Sequence, residues 1–322
     1  MPPLTFITVV FEADLGLLEL QARSMRRYLD RDAVASVIVV DNTRAGLGHR
    51  RRRRLLSAYG DLAGLVRVVG TTDVVDVGTT AGWTSQQILK LAIADHVNTD
   101  LYMALDAKNF FVRPTGLQDF HAEDGRPRMG RHSYASHPLR EAVARTLRFN
   151  GVDQDPWIDH FPVTHTPFVF VTDEVRTMRR ELEDTYSTTL TDLFTREQLL
   201  EFPLYSAWLI AHGRLDLHYA SSVIQCPGVW SGASTTAEVG AVLDEAMRRD
   251  DVHLVSAHRR AIGRMRRPAV RVLGKFLADV QLFSSESSAV AWIYRLKLRS
   301  GAAMVSVKTA QRVRRSTRRS QA

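Results

Sequence analysis

Between Gly82 and Pro114 the sequence GWTSQQILKLAIADHVNTDLYMALDAKNFFVRP sets an indole, side-chain amides, two ammonium groups and three carboxylates within one short stretch. A helix from Trp83 to Val97 would turn by roughly 100° per residue, gathering Trp83, Gln86, Gln87 and Lys90 into one arc while Ile88, Leu89, Leu91, Ala92 and Ile93 cover the remainder. Leu101 to Leu105 then reads as a short buried strand. Its carboxyl end delivers Asp106, Lys108 and Asn109 at the rim where open α/β sheets bind ligands. Helix and strand would thus converge on an anionic ligand, with Lys90 and Lys108 as the cations that meet it.

The elements around this stretch must hold it in place. Leu4 to Phe11 is a β-rich apolar run, and the polar EADLG after it leads into a helix with Leu17, Leu18, Leu20, Ala22 and Met25 spaced for burial. Val37 to Val40 predicts a second strand and Leu65 to Val69 a third, so strands and helices alternate over short connections. That order predicts an α/β fold with a mostly parallel, Rossmann-like sheet sandwiched by helices. The turn after the first strand carries neither G-x-G-x-x-G nor G-x-x-x-x-G-K-[ST], which argues against dinucleotide-dependent hydride transfer and P-loop phosphoryl transfer. Asp41, at the end of the second strand in Asp41-Asn42-Thr43, suits a turn or helix cap. Residues 49–54, HRRRRR, read as a solvated helix face or as a contact for an acidic ligand.

After Pro114 the regularity breaks. Residues 121–165 are rich in His, Arg, Asp and Pro, the kind of insertion that builds ligand specificity from loops, and His165 stands at its end. A strand follows at His165-Thr-Pro-Phe-Val-Phe, then a charged amphipathic helix from Glu174 to Tyr186. Pro203 suits the first turn of a further helix, with Glu201 just before it and Tyr205 a turn in. Glu201 there would complement the helix dipole or serve chemistry. Trp230, in Pro227-Gly-Val-Trp-Ser-Gly232, would stack on a sugar or base, or else anchor the loop by burial. His253-Leu-Val-Ser-Ala-His258 is an alternating run that ends in a histidine.

The helix bearing Trp, Gln and Lys, the apolar strand, and Asp106-Ala-Lys-Asn109 followed by Phe-Val-Arg113-Pro together resemble nucleotide-sugar glycosyltransferases of the GT-A type, over roughly residues 4–258. The resemblance is closest to a little-characterised bacterial group whose strand ends in a similar Asp-Ala-Lys-Asn. It implies a nucleotide-diphosphate sugar as donor, bound by Asp41, Trp83, Gln86, Gln87, Lys90, Asn109 and Arg113, with Asp41 contacting the base or ribose. It implies Asp106, Lys108 and Glu201 as catalytic residues, and an acceptor side with His165, Tyr205 and Trp230. GT-A enzymes usually carry Asp-x-Asp, which holds a divalent metal on the diphosphate, and many return a late histidine to that metal. Here Asp106 and His258 would hold Mn²⁺ or Mg²⁺. Lys108 stands where the second carboxylate would be, which weakens a site for a hard cation and leaves metal-independent transfer open. Glu201 would be the general base if the transfer inverts configuration. The implied activity is hexosyl transfer to a glycan or lipid-linked acceptor, in cell-envelope or polysaccharide synthesis. Two other classes compete: a nucleotidyltransferase, which lacks its Gly-rich basic loop here, and a non-catalytic protein with a decayed site.

Composition bounds these readings. Apolar content of 45% and charged content of 24% suit a soluble globular protein, and no apolar run approaches the ~20 residues of a membrane-spanning helix. The amino terminus reads as a strand rather than a secretory signal, and Cys226 is the single cysteine, so a reducing cytoplasm is expected. Residues 259–322 hold 16 Lys and Arg against Asp279 and Glu286, whereas residues 1–258 hold 27 basic against 33 acidic side chains. A catalytic body at 1–258 and a basic helical extension at 259–322 with a disordered end are therefore expected. Nucleic acid is not expected as a partner of the acidic body. Trp292, Ile293 and Leu296 alternate with Lys and Arg as in helices that lie on an anionic membrane surface, which would place the protein peripherally on the inner face of the membrane.

Overall fold

The computed structural model describes residues 1–298 apart from residues 79 and 81. The first half of the chain builds β1 (Leu4–Val10), α1 (Leu15–Tyr28), β2 (Val34–Asp41), α2 (His49–Tyr59), β3 (Val66–Gly70), α3 (Trp83–Ala92) and β4 (Leu101–Asp106). One sheet runs β3-β2-β1-β4 in parallel, and β6 (Phe168–Val171) pairs antiparallel on the far side of β4. The expected fold class is therefore observed: a mixed α/β chain with a parallel-dominated sheet between helices.

The near-continuous apolar strands are explained by burial on both faces. In β1, Phe6 and Val10 face a core shared with α1, while Ile7 and Val9 face the opposite core with α3; in β4, Met103 and Leu105 divide from Tyr102 and Ala104 in the same way. The second core also takes in α4 (Thr172–Tyr186) and α5 (Glu201–Ala211). The helix expected to reach Val97 ends at Ala92, after which Ile93–His96 tightens into a 3₁₀ turn.

A second, three-stranded sheet continues from the end of β4. β5 (Asn109–Phe111) pairs antiparallel with β8 (Leu254–Ala257), which runs parallel to β7 (Gly228–Val229). The chain thus leaves one sheet and enters the other across the four residues Asp106 to Asn109. Gln21 of α1 clamps that turn. Its Oε1 accepts from Thr8 Oγ1 at 2.8 Å, and its Nε2 donates to the carbonyls of Asp106 (2.8 Å) and Asn109 (3.1 Å).

The extension that begins at residue 259 differs from the expected membrane-facing appendage. Helices Arg259–Arg264, Arg267–Asp279 and residues 286–298 lay Val270, Leu273, Leu277, Trp292, Ile293 and Leu296 into the same core as α1 and β1. Leu296 packs against Gly16, where an added Cβ would lie 2.8 Å from its Cδ1. Trp292, Ile293 and Leu296 are therefore held by the protein interior and are not free to enter a lipid surface. Residue 258 does not mark an edge of the core, and the tail expected to be disordered lies outside the described residues. Among the described residues no helix is long and apolar enough to cross a membrane.

If these helices are part of the core, Leu277→Ala should cost about 2–5 kcal/mol, the usual range for a fully buried leucine, read by urea unfolding. A chain ended after Arg264 should fail to fold rather than yield a stable body.

Candidate active site

The carboxyl ends of β1 and β4 open into a cleft of about 600 Å³. Of the residues expected to act there, it is lined by Trp83, Gln86, Gln87, Lys90, Asp106, Lys108, His165, Glu201, Trp230 and His258. α3 supplies the first four. Its start is permitted by Gly82, whose φ of 73° is open to glycine at little cost; from there Trp83 sits at the mouth, 61% exposed, and Lys90 lies a full two turns deeper, 4% exposed.

Lys90 Nζ is 2.8 Å from Asp106 Oδ1 and 3.1 Å from Glu201 Oε1, while Lys108 Nζ is 2.6 Å from Asp106 Oδ2. Two lysines and two carboxylates thus form one chain of charge. Burial alone would raise the Asp106 carboxyl, but Lys90 and Lys108 outweigh it and hold Asp106 far below the usual carboxylate range. Burial likewise opposes the Lys90 charge, and Asp106 with Glu201 more than restores it, so Lys90 stays cationic. Glu201 has only a share of Lys90; burial prevails and its carboxyl titrates above the usual range. Glu201 is held in place from its backbone, which donates to Gln87 Oε1 at 3.3 Å. Lys90 also lies 4.9 Å from the centre of the Phe202 ring, and Lys108 4.9 Å from that of Trp230.

The second sheet completes the wall. The Ala257 amide donates to the Lys108 carbonyl at 3.0 Å, and the His258 amide donates to the Val229 carbonyl at 2.9 Å, so pairing of β7 with β8 brings Trp230 and His258 beside Lys108. His258 caps the following helix: its Nδ1 accepts from the Arg260 amide at 3.1 Å. Burial, joined by the charges of Lys108, Arg259 and Arg260, pushes its pKa down to about 4. The ring is therefore neutral near pH 7 and carries its hydrogen on Nε2, a donor on a residue that lines the cleft.

This arrangement does not fit a divalent cation held by Asp106 and His258. Both oxygens of Asp106 are engaged by ammonium groups, and the His258 tautomer presents N–H rather than a lone pair. Among the described residues no group of three or more His, Cys, Asp or Glu is placed to hold a metal.

Four expected residues lie outside the cleft. Asn109, fully buried, accepts from the Asp106 amide (2.7 Å) and donates to Cys226 Sγ (3.5 Å), so it shapes the turn rather than meeting a ligand. Arg113 donates to the Ala246 carbonyl and pairs with Asp250. The Tyr205 hydroxyl meets Tyr219 and the Val171 amide inside the second core. Asp41 caps the 42–47 loop by accepting from Thr43 and Leu47.

The cleft also includes residues that sequence patterns missed. Asp14, in the polar turn after β1, is paired with Arg259 at 2.9 Å, and its position at a strand's carboxyl end was the available signal. His132 and His137 come from the insertion, where they cluster on Tyr134 with ring centroids 4.2 and 4.9 Å away. His137 Nδ1 accepts from the Leu139 amide (3.1 Å), whereas His165 Nδ1 faces the Thr166 carbonyl (3.3 Å). With both rings neutral, burial having lowered each, His137 offers a donor and His165 an acceptor, a mixed set that suits hydroxyl groups.

A family model described as "Family of unknown function (DUF6492)" matches residues 4–231. No curated protein matches the chain. Among solved structures, the galactosyltransferase LgtC in complex with donor and acceptor sugar analogues aligns at TM-score 0.45 and 11% identity, over 79% of this chain and 87% of that one. The bifunctional glycosyltransferase WbbM aligns at 0.45 and 9% identity over 79% and 45%. The glycosyltransferase GlyE of Streptococcus pneumoniae TIGR4 aligns at 0.41 and 11% identity over 79% and 54%.

The charge chain makes a stability prediction. Lys90→Met leaves Glu201 buried without its cation and should cost about 3–5 kcal/mol near neutral pH; Lys108→Met should cost less, because Asp106 keeps Lys90. A carboxyl whose folded pKa is raised holds a proton that the unfolded chain releases, so its contribution falls as pH rises through that window. Losing Lys90 raises Glu201 further. Urea unfolding of Lys90→Met should therefore recover part of the deficit as pH is lowered from about 7 toward 5.

Proposed function

We propose that this chain, which belongs to the DUF6492 family of unknown function, transfers a sugar from a nucleotide-diphosphate donor to a glycan or lipid-linked acceptor, in cell-envelope or polysaccharide synthesis. The observation that carries this reading is the joint presence, in one cleft at the carboxyl edge of a parallel sheet, of fixed cationic and N–H donors beside two exposed indoles. Trp230 is 48% exposed and Trp83 more so. In glycosyl transfer the diphosphate leaves with growing negative charge as the anomeric carbon becomes positive, and fixed donors act most strongly in a dry site.

Each residue then has a task. Lys108, still held by Asp106 Oδ2, turns its remaining N–H groups onto the departing diphosphate, with the Nε2–H of His258 donating beside it. Lys90 stays buried and keeps Asp106 ionised and oriented toward the sugar or ribose. The two indoles stack on flat faces of the donor. Glu201, whose carboxyl titrates high, accepts the acceptor's hydroxyl proton if configuration inverts. His137 and His165 face the acceptor side with one donor and one acceptor. Because Asp106 and His258 do not suit a divalent cation as placed, Lys108 and His258 take over the neutralisation that a metal performs in Asp-x-Asp enzymes.

A screen of nucleoside diphosphates and their sugars by thermal shift tests the reading. At least one should raise the melting temperature in the presence of chelator, and Lys108→Met should remove most of that rise. Trp230→Ala should raise KM about tenfold or more, consistent with the loss of about 1–3 kcal/mol of stacking. No response to any nucleotide would favour the non-catalytic alternative. If Glu201 is the base, kcat/KM should climb with pH through a value above the ordinary glutamate range, and Glu201→Gln should abolish that limb.

A further inference from the structure

A second concavity, of about 540 Å³, lies between α1, α2 and the turn at Gln281 and Leu282, and it shares no lining residue with the catalytic cleft. α1 contributes Glu19, Arg23, Arg26 and Arg27, and α2 contributes Arg54. Its one carboxylate, Glu19, is already held by Arg54 at 2.6 Å. Among the described residues Arg23, Arg26 and Arg27 have no ion-pair partner. Arg27 instead donates to the Gln281 side chain, and the Arg23 guanidinium lies 5.1 Å from the centre of the Phe283 ring. Arg54 and Arg295 line a smaller hollow that adjoins the first, extending the basic wall.

Collecting unpaired guanidinium groups in a hollow raises the energy of the unliganded protein, since like charges repel more as water is withdrawn. Arg23 registers this: burial first, then Arg54 and Arg295, pull its pKa down against the counter-pull of Glu19. A polyvalent anion removes the repulsion, and the planar guanidinium fork matches phosphate oxygens two at a time. We propose that this arginine-lined cleft binds a multiply charged phosphate group, either free or as the headgroup of an anionic lipid.

The test uses the full chain carrying Lys108→Met, so that the catalytic cleft contributes little. Inorganic pyrophosphate should bind by calorimetry, and adding Arg23→Gln with Arg27→Gln should weaken it at least tenfold. Arg27→Glu, at an exposed position, should do the same without lowering the melting temperature, which separates loss of binding from loss of fold. Co-sedimentation with vesicles containing phosphatidic acid, whose phosphomonoester headgroup can carry two charges, and with phosphatidylcholine vesicles identifies the source. If the headgroup is the ligand, Arg27→Glu lowers pelleting on phosphatidic acid vesicles severalfold and pyrophosphate competes it away; if a free phosphate is, pelleting is unchanged while pyrophosphate binding is weakened. Unchanged pyrophosphate affinity together with unchanged pelleting in both variants would overturn the proposal.

Discussion

Burying the Lys90 ammonium costs several kcal/mol of hydration, and only carboxylates on both sides offset it. Those carboxylates come from different elements: Asp106 from the end of β4 and Glu201 from the start of α5. α3, β4 and α5 are therefore tied together at one buried cation, and the depth and width of the cleft follow from that tie. The remaining oxygen of Asp106 holds Lys108, whose ammonium is the more accessible of the two. A rigid inner lysine and a more accessible outer one give the site a fixed frame and a cation available to a ligand.

The turn carrying this charge chain is itself held from outside the cleft. Gln21 bonds both of its ends and reaches back to Thr8, so the helix after β1 reads the position of the turn after β4. Asn109 closes the turn from within. Beyond it the chain changes sheets, and the paired strands β7 and β8 return Trp230 and His258 to the same rim. Neither side of the cleft is complete without the other sheet, and the helices from residue 259 onward seal the core beneath α1.

Most of the cleft wall was legible in sequence because its signals are local. Trp83, Gln86, Gln87 and Lys90 recur at helical spacing, and Asp106 and Lys108 stand immediately after an apolar run. Asn109, Arg113, Tyr205 and Asp41 were assigned to a ligand by proximity in sequence or by family resemblance, yet each found a partner within the protein: a turn amide, a carbonyl and Asp250, a second tyrosine, and the 42–47 loop. A polar side chain at a rim reads the same whether it faces solvent or a backbone group, and only packing distinguishes them. The basic extension was misread for a related reason. An amphipathic helix shows that one face must be covered, but its periodicity is the same whether the cover is lipid or the protein's own core.

By itself the sequence determined the α/β order, the two-faced burial of the strands, the helix that carries Lys90 and the strand that delivers Asp106, because each depends on residues within a turn or two of one another. Tertiary structure alone decided that Lys90 lies between Asp106 and Glu201, that His258 lines the cleft with Nδ1 already bonded, that His132, His137 and Asp14 join the same wall, and that Trp292, Ile293 and Leu296 are interior. Those outcomes depend on which distant groups are left to satisfy a buried charge or cover an apolar face, and that is settled only when the elements pack.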